Sequence, residues 1–220
     1  MPDAQILVPE PAAERAPGAG TGRKRPKPGE RREQILQTLA TMLEQPGAER
    51  ITTAALAARL DVSEAALYRH FASKAQMFEG LIEFIELSVF SLVNQIGERE
   101  GTGAGARTPT KPAASMVRML VQFAEKNPGL ARVMVGDALV FENERLQQRM
   151  NQFFDRFEAA LRQSLRGAAL EAGSDTPTVD TQVRASVLAT FVAGRLQRFT
   201  RSGFKRLPSE HLDASLALIL

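Results

Sequence analysis

Residues 51–74 read ITTAALAARLDVSEAALYRHFASK, two short helical patterns joined by a tight break. The first pattern starts at Thr52-Thr53, where a hydroxyl can accept from the orphan backbone donors of a first turn. It continues through Leu56, Ala57 and Leu60. Asp61-Val62 makes the turn; an aspartate tolerates the left-handed conformation that such a turn needs. Ser63 is a good N-cap for a second helix over 64–71. Leu67 and Phe71, four apart, face a core with Val62. Ser63, Glu64, Ala65, Tyr68 and Arg69 are left on the other faces. This is the plan of a helix-turn-helix whose second helix offers its N-terminal residues to base edges in the major groove.

Charge agrees with a polyanionic partner. Between Arg15 and Arg32 lie seven basic residues against the single Glu30, whereas residues 33–220 balance 21 basic with 21 acidic side chains. The basic excess therefore sits immediately before the helix-turn-helix, in a Pro/Gly-rich arm over 1–29 that is too polar to fold alone. Such an arm can follow a phosphate backbone, or it can be a solubilising tail. The 220 residues suffice for one or two domains with a real core. With no Cys and only His70 and His211, thiolate chemistry and most His-based metal sites are excluded, and neither a metal nor a cofactor is expected. No apolar run approaches a membrane span, and the N-terminus carries no cleavable apolar core, so a cytoplasmic protein is expected.

Apolar spacing predicts an all-α fold. A first helix begins near Arg31, with Ile35, Leu36, Leu39 and Leu43 on one face, and stops at Pro46-Gly47. After the helix-turn-helix, a helix from Ser73 or Lys74 to about Ile96 carries more apolar residues than one stripe needs, so it packs on two sides. Residues 97–112 read as a mobile Gly/Thr/Pro-rich loop. Helices follow over 113–126, 130–141, 142–170, 179–202 and 211–220. The domain expectation is a basic arm over 1–29, a DNA-binding module over 30–75, and a helical dimerisation and partner-binding domain over 76–220. The two long helices over 142–170 and 179–202 suit a helix-pair dimer interface, with Phe191, Gly194 and Leu196 as candidate contacts. The same stripes could equally serve a monomer core.

The motif residues Thr52-Thr53, Val62-Ser63, Leu67-Tyr68-Arg69-His70-Phe71 and Lys74 resemble the TetR family, with Asp61 standing where a glycine is more usual. A narrower resemblance, to the nucleoid occlusion factors within that family, covers most of the chain from Arg31 onward. It is carried by Arg31-Arg32-Glu33-Gln34, by the run from Phe78 to Glu86, by Lys126-Asn127-Pro128-Gly129 and by Arg198-Phe199-Thr200-Arg201-Ser202-Gly203. The resemblance implies a homodimer on palindromic sites of double-stranded chromosomal DNA. It also implies a nucleoid-associated protein that contacts the tubulin-like division protein FtsZ and antagonises ring assembly. The alternative is a TetR-type repressor released by a small molecule. An enzyme is not expected: no His-x-x-x-His, phosphate loop or convergent Ser/His/Asp set is present.

By the same resemblance, Tyr68, His70 and Lys74 are the expected phosphate contacts, and Thr52 and Thr53 share a phosphate at the start of the positioning helix. Base reading falls to Ser63, Glu64 and Ala65, since Glu can accept from cytosine N4 and the Ala methyl can pack on thymine. Tyr68 could instead be a core phenol and His70 a helix cap. For FtsZ the implied residues are Phe84, Lys126 and Asn127. Phe84 is equally at home in a core, and Lys126-Asn127 is also an ordinary helix stop before Pro128.

Overall fold

The computed structural model describes residues 29–45, 51–102, 110–171 and 173–220, every element among them being helix or turn. The expected basic arm and the Pro46-Gly47 stop lie outside the described residues, apart from Gly29. Of the loop expected over 97–112, residues 103–109 also lie outside the described residues, whereas 97–102 and 111–112 are helical rather than loop. Helix α1 (Glu30–Leu43) buries Ile35, Leu39 and Leu43. Helix α2 (Thr53–Arg59) opens on Thr52, whose hydroxyl accepts from the Ala55 N–H at 3.1 Å. Ser63 does the same for Ala66 at 3.3 Å, opening α3 (Glu64–Tyr68). Between them Asp61 takes the left-handed conformation, φ 53°, and the Val62 N–H returns to the Ala57 carbonyl at 3.0 Å. The turn therefore keeps its form without glycine. Helix α3 is three residues shorter than the spacing predicted, although the Phe71 N–H still reaches the Leu67 carbonyl and the ring is buried.

Helix α4 (Lys74–Thr102) runs past its expected end near Ile96 and through Gly97, where the missing side chain costs helix stability without forbidding it. Met77, Phe78, Leu81, Ile82, Ile85, Val89, Phe90 and Val93 are all buried, so the helix is enclosed by both halves of the molecule. Helix α5 (Lys111–Lys126) starts two residues early, with Pro112 in its first turn where a missing N–H costs nothing. The helix expected over 130–141 is instead α6 (Pro128–Met134) and one 3-10 turn, Asp137–Leu139, separated at Gly136 with φ 83°. Helices α7 (Glu144–Glu171) and α8 (Pro177–Arg201) fold back on each other, Gln182 accepting from Arg162 and donating to Glu158. Helix α9 (Leu212–Ile219) closes the chain, tied to α5 by the Arg118–Asp213 ion pair.

One expected interface residue is misplaced. Leu196 is 0% exposed and packs with Ala185, Leu188, Val192 and Phe199 inside the chain's own core. Five residues separate it from Phe191, about 140° around a helix, so the two cannot share a face. The outward face of α8 is a different stripe: Val183 and Val187 are 56% and 46% exposed, Val179 and Gly194 are exposed, and Phe191 is half-buried. The spacing reading merged two faces into one.

The two halves of the chain also meet at α1 and α6. A Cβ built on Gly129 would lie 2.0 Å from the Ala40 carbonyl oxygen, so only glycine permits this approach. The adjoining Glu44 carboxylate accepts from the Gly129 N–H. Burial pushes its pKa up and that hydrogen bond opposes the rise. Gly129→Ala should therefore destabilise the fold by about 1–3 kcal/mol, the usual cost of overpacking. Denaturant unfolding of the variant checks this; an unchanged midpoint would mean that α1 and α6 are not in contact in solution.

Candidate nucleic-acid interface

The helix-turn-helix presents a preassembled polar face. The Thr53 hydroxyl donates to Glu64 Oε2 at 2.6 Å, and the Tyr68 phenol lies 3.5 Å from Thr53 Oγ1. Tyr68 is 46% exposed, which removes the core-phenol alternative. Thr52, Ser63, Glu64, Ala65 and His70 are exposed as well, and Thr53 is half-buried. Six of the eight expected DNA residues thus lie on or beside α2 and α3, Tyr68 at the end of α3, with His70 just after it and Lys74 further on. Thr52 and Ser63 are each committed to capping their own helix, worth about 1 kcal/mol apiece, so their hydroxyls order the face before any ligand arrives. Glu64 already accepts from Thr53, which restrains the carboxylate that the sequence suggests for cytosine.

Lys74 differs from the others. Its ammonium contacts Glu142 Oε1 at 2.5 Å, and the two side chains are 29% and 9% exposed. An ammonium has three donors, so two can still face a phosphate, but the carboxylate already offsets most of the charge that would draw it. The pair is the first of three that tie α4 to the start of α7 or the turn just before it. Glu79 pairs with Arg145, and Glu86 takes a bidentate bond from Arg149 at 3.0 and 2.5 Å. The Glu86 hydrogen bond, against a smaller opposing effect of burial, holds the Arg149 guanidinium more firmly protonated than usual.

Two cations near the face were not anticipated as contacts. Arg32 donates to the His70 carbonyl at 3.2 Å, and its guanidinium lies 4.2 Å from the Phe71 ring centroid. Arg69 is exposed directly after α3. A signal existed for the first. Arginines in the first turn of α1 oppose the helix dipole, so their place there calls for another partner.

The three residues expected to meet a protein partner are not gathered at one point. Lys126 is exposed at the end of α5. Asn127 is half-buried, and its amide donates to the Phe123 carbonyl at 2.8 Å, so it caps its own helix. Both line a small cavity of about 40 Å³ together with Gln37, Ala40, Thr41 and Glu44 of α1. Phe84 is half-buried against the core and does not line that cavity. No helix among the described residues is long and apolar enough to cross a membrane.

Residues 35–81 match the tetR family of bacterial regulatory proteins, and residues 112–220 match the SlmA-like, tetracyclin repressor-like C-terminal domain. The chain is 52% identical over 190 residues to the nucleoid occlusion factor SlmA of Vibrio cholerae, covering 86% of this chain and 93% of that protein. It is 50% identical over 195 residues to SlmA of Aliivibrio fischeri, covering 88% and 96%. Solved structures share the fold at low identity. The fatty acid degradation regulator FadR of Bacillus halodurans superposes with a TM-score of 0.66 at 15% identity, over 89% of this chain and 97% of that one. The TetR family regulator PfmR of Thermus thermophilus does so with 0.62 at 23%, over 86% and 95%.

If Lys74 contributes to a DNA site while Glu142 holds it, Glu142→Gln should raise DNA affinity. It should also steepen the fall of log K with log salt by up to about 0.9, the increment for one more phosphate neutralised. Equilibrium binding at several salt concentrations measures this. An unaltered slope with lowered thermal stability would assign Lys74 to the fold alone.

Proposed function

Because the chain belongs to the SlmA family of TetR-type nucleoid occlusion factors, we propose that it binds palindromic chromosomal sites as a homodimer and from there antagonises FtsZ ring assembly. The observation that carries this reading is the double use of α1. Its buried face, Ile35, Leu39 and Leu43, supports the helix-turn-helix, while Gln37, Ala40, Thr41 and Glu44 wall the cavity that holds Lys126 and Asn127. A partner seated there touches the DNA-binding module and the C-terminal half at once. DNA contacts fall to Thr52, Thr53, Tyr68, His70 and Lys74 on phosphates and to Ser63, Glu64 and Ala65 on bases. Arg32 and Arg69 add charge beside them. FtsZ contacts fall to Lys126 first, with Asn127 and Phe84 flanking.

Lys126 is the cleanest probe of the partner surface, because it is exposed and its side chain has no ion-pair partner among the described residues. Lys126→Glu should abolish FtsZ retention on operator-bound protein while leaving operator affinity within about twofold, a change worth less than 0.5 kcal/mol. Tyr68→Phe should show the reverse, weaker DNA binding with FtsZ binding intact. Light scattering of FtsZ with and without a palindromic duplex reads both. Wild type that never alters FtsZ assembly sinks the division reading, and a small-molecule-released repressor takes its place.

The dimer is proposed to form on the outward stripe of α8, Val179, Val183 and Val187, continued by Phe191 and Gly194. A run of exposed valines along a long helix is costly to leave in water, and a two-fold axis would bury it against itself. The double variant Val183→Glu, Val187→Glu should sediment as a folded monomer and bind a palindrome at least tenfold more weakly. Retention of the dimer would move the interface elsewhere.

A further inference from the structure

Beyond the end of α8, the loop over 202–211 folds back across the helix and leaves a half-open cavity of about 320 Å³. Arg195, Arg198 and Arg206 line it, with His211 at its side and Glu210 as its single carboxylate. The Arg195 guanidinium is spent on neutral partners. It donates to the Pro208 carbonyl at 2.9 Å, the Glu210 carbonyl at 2.7 Å and the Ser215 hydroxyl at 2.9 Å, while its buried Nε–H has no acceptor. Its cation also lies 4.4 Å from the Phe191 ring centroid. Among the described residues, neither Arg198 nor Arg206 has an ion-pair partner. Burial first, and the neighbouring Arg198 charge second, lower the Arg195 pKa, with Glu210 acting the opposite way.

Three guanidinium groups against one carboxylate leave two positive charges uncompensated in one concavity. The partial negative charge at a helix C-terminus accounts for Arg198, in the last turn of α8, but not for Arg206, which stands in the loop. A carboxylate ligand would offset one charge and fill a fraction of the volume. A phosphate monoester carries close to two negative charges near neutral pH and three acceptor oxygens, which suit guanidinium forks arriving from different directions. We propose that this cavity is a binding site for a terminal phosphate group, held between Arg198 and Arg206 on a floor set by Arg195.

The site is separate from the helix-turn-helix, yet it is connected to the proposed partner surface. Ser209, in the same loop, gives its N–H at 3.1 Å and its hydroxyl at 2.6 Å to Glu125, one residue before Lys126. A phosphate group that ordered the loop would therefore act on the end of α5.

The phosphate could belong to a soluble compound or to a lipid headgroup, and two binding arms separate them. Wild type is titrated calorimetrically with inorganic phosphate at fixed ionic strength, and co-sedimented with vesicles containing phosphatidic acid or charge-matched phosphatidylglycerol. Arg198→Glu and Arg206→Glu are the variants, both exposed positions whose folding is checked by thermal melting and by unchanged operator affinity. Saturable phosphate binding that weakens at least about tenfold in both variants supports the site with a soluble ligand. Binding to phosphatidic acid alone, lost in both variants, supports it with a lipid phosphomonoester. Equal binding to phosphatidylglycerol, binding unaffected by the charge reversals, or no binding in either arm overturns the proposal.

Discussion

A single helix, α4, is held in the core along most of its length. Met77, Phe78 and Leu81 meet the helix-turn-helix end of the molecule, and Ile85, Val89, Phe90 and Val93 lie along the same rod in the C-terminal half. Although Glu83 and Leu87 face solvent, a helix with buried side chains from Met77 to Val93 cannot rotate without exposing a core residue in each half. At about 2 kcal/mol for each large side chain exposed, such slippage is prohibitive against a typical total stability. The helix-turn-helix is thus fixed to the long α7/α8 pair by packing, and the spacing between two such modules in any dimer follows from rigid geometry.

Polar contacts trim that arrangement. The ion pairs of Lys74 with Glu142, Glu79 with Arg145 and Glu86 with Arg149 are partly exposed, and pairs of that kind contribute modestly to stability. Their weight lies in direction. Each joins α4 to the first turns of α7 or to the turn just before them, and the bidentate Glu86–Arg149 bond tolerates little change of angle. The first of them also places the Lys74 ammonium on a carboxylate from the C-terminal half, so one charge near the helix-turn-helix is set by a residue almost 70 positions away in sequence.

What the sequence made readable was whatever repeats locally. Caps at Thr52 and Ser63, the left-handed Asp61 and the apolar spacing of α1, α4 and α7 all act within a few residues, and each stands where the spacing placed it. The expected polar face around Tyr68 is exposed for the same reason: Leu67 and Phe71 take the core side of their turn. What stayed hidden is non-local. Nothing near Lys74 signals Glu142, and nothing near Gly129 signals the Ala40 carbonyl that excludes a side chain. Helix α8 misled because it is apolar on two faces. Spacing alone cannot say which of Val183, Val187 and Leu196 meets the chain's own core, and only the position of α7 decides it.

The contact between α1 and α6 sets a thermodynamic condition on the proposed function. The Ala40 carbonyl rests against Gly129 with no room for a methyl group, and Arg132 reaches from α6 to the Gln45 carbonyl just past α1 at 3.2 Å. A protein partner on Lys126 would then press on a surface that includes α1, the first helix of the DNA-binding module. Linkage makes any such effect reciprocal: whatever factor DNA adds to partner affinity, the partner adds to DNA affinity. With α4 unable to rotate, that coupling has to arise from ordering α1 and its neighbours, because a large rigid-body swing would break the core that holds both sites.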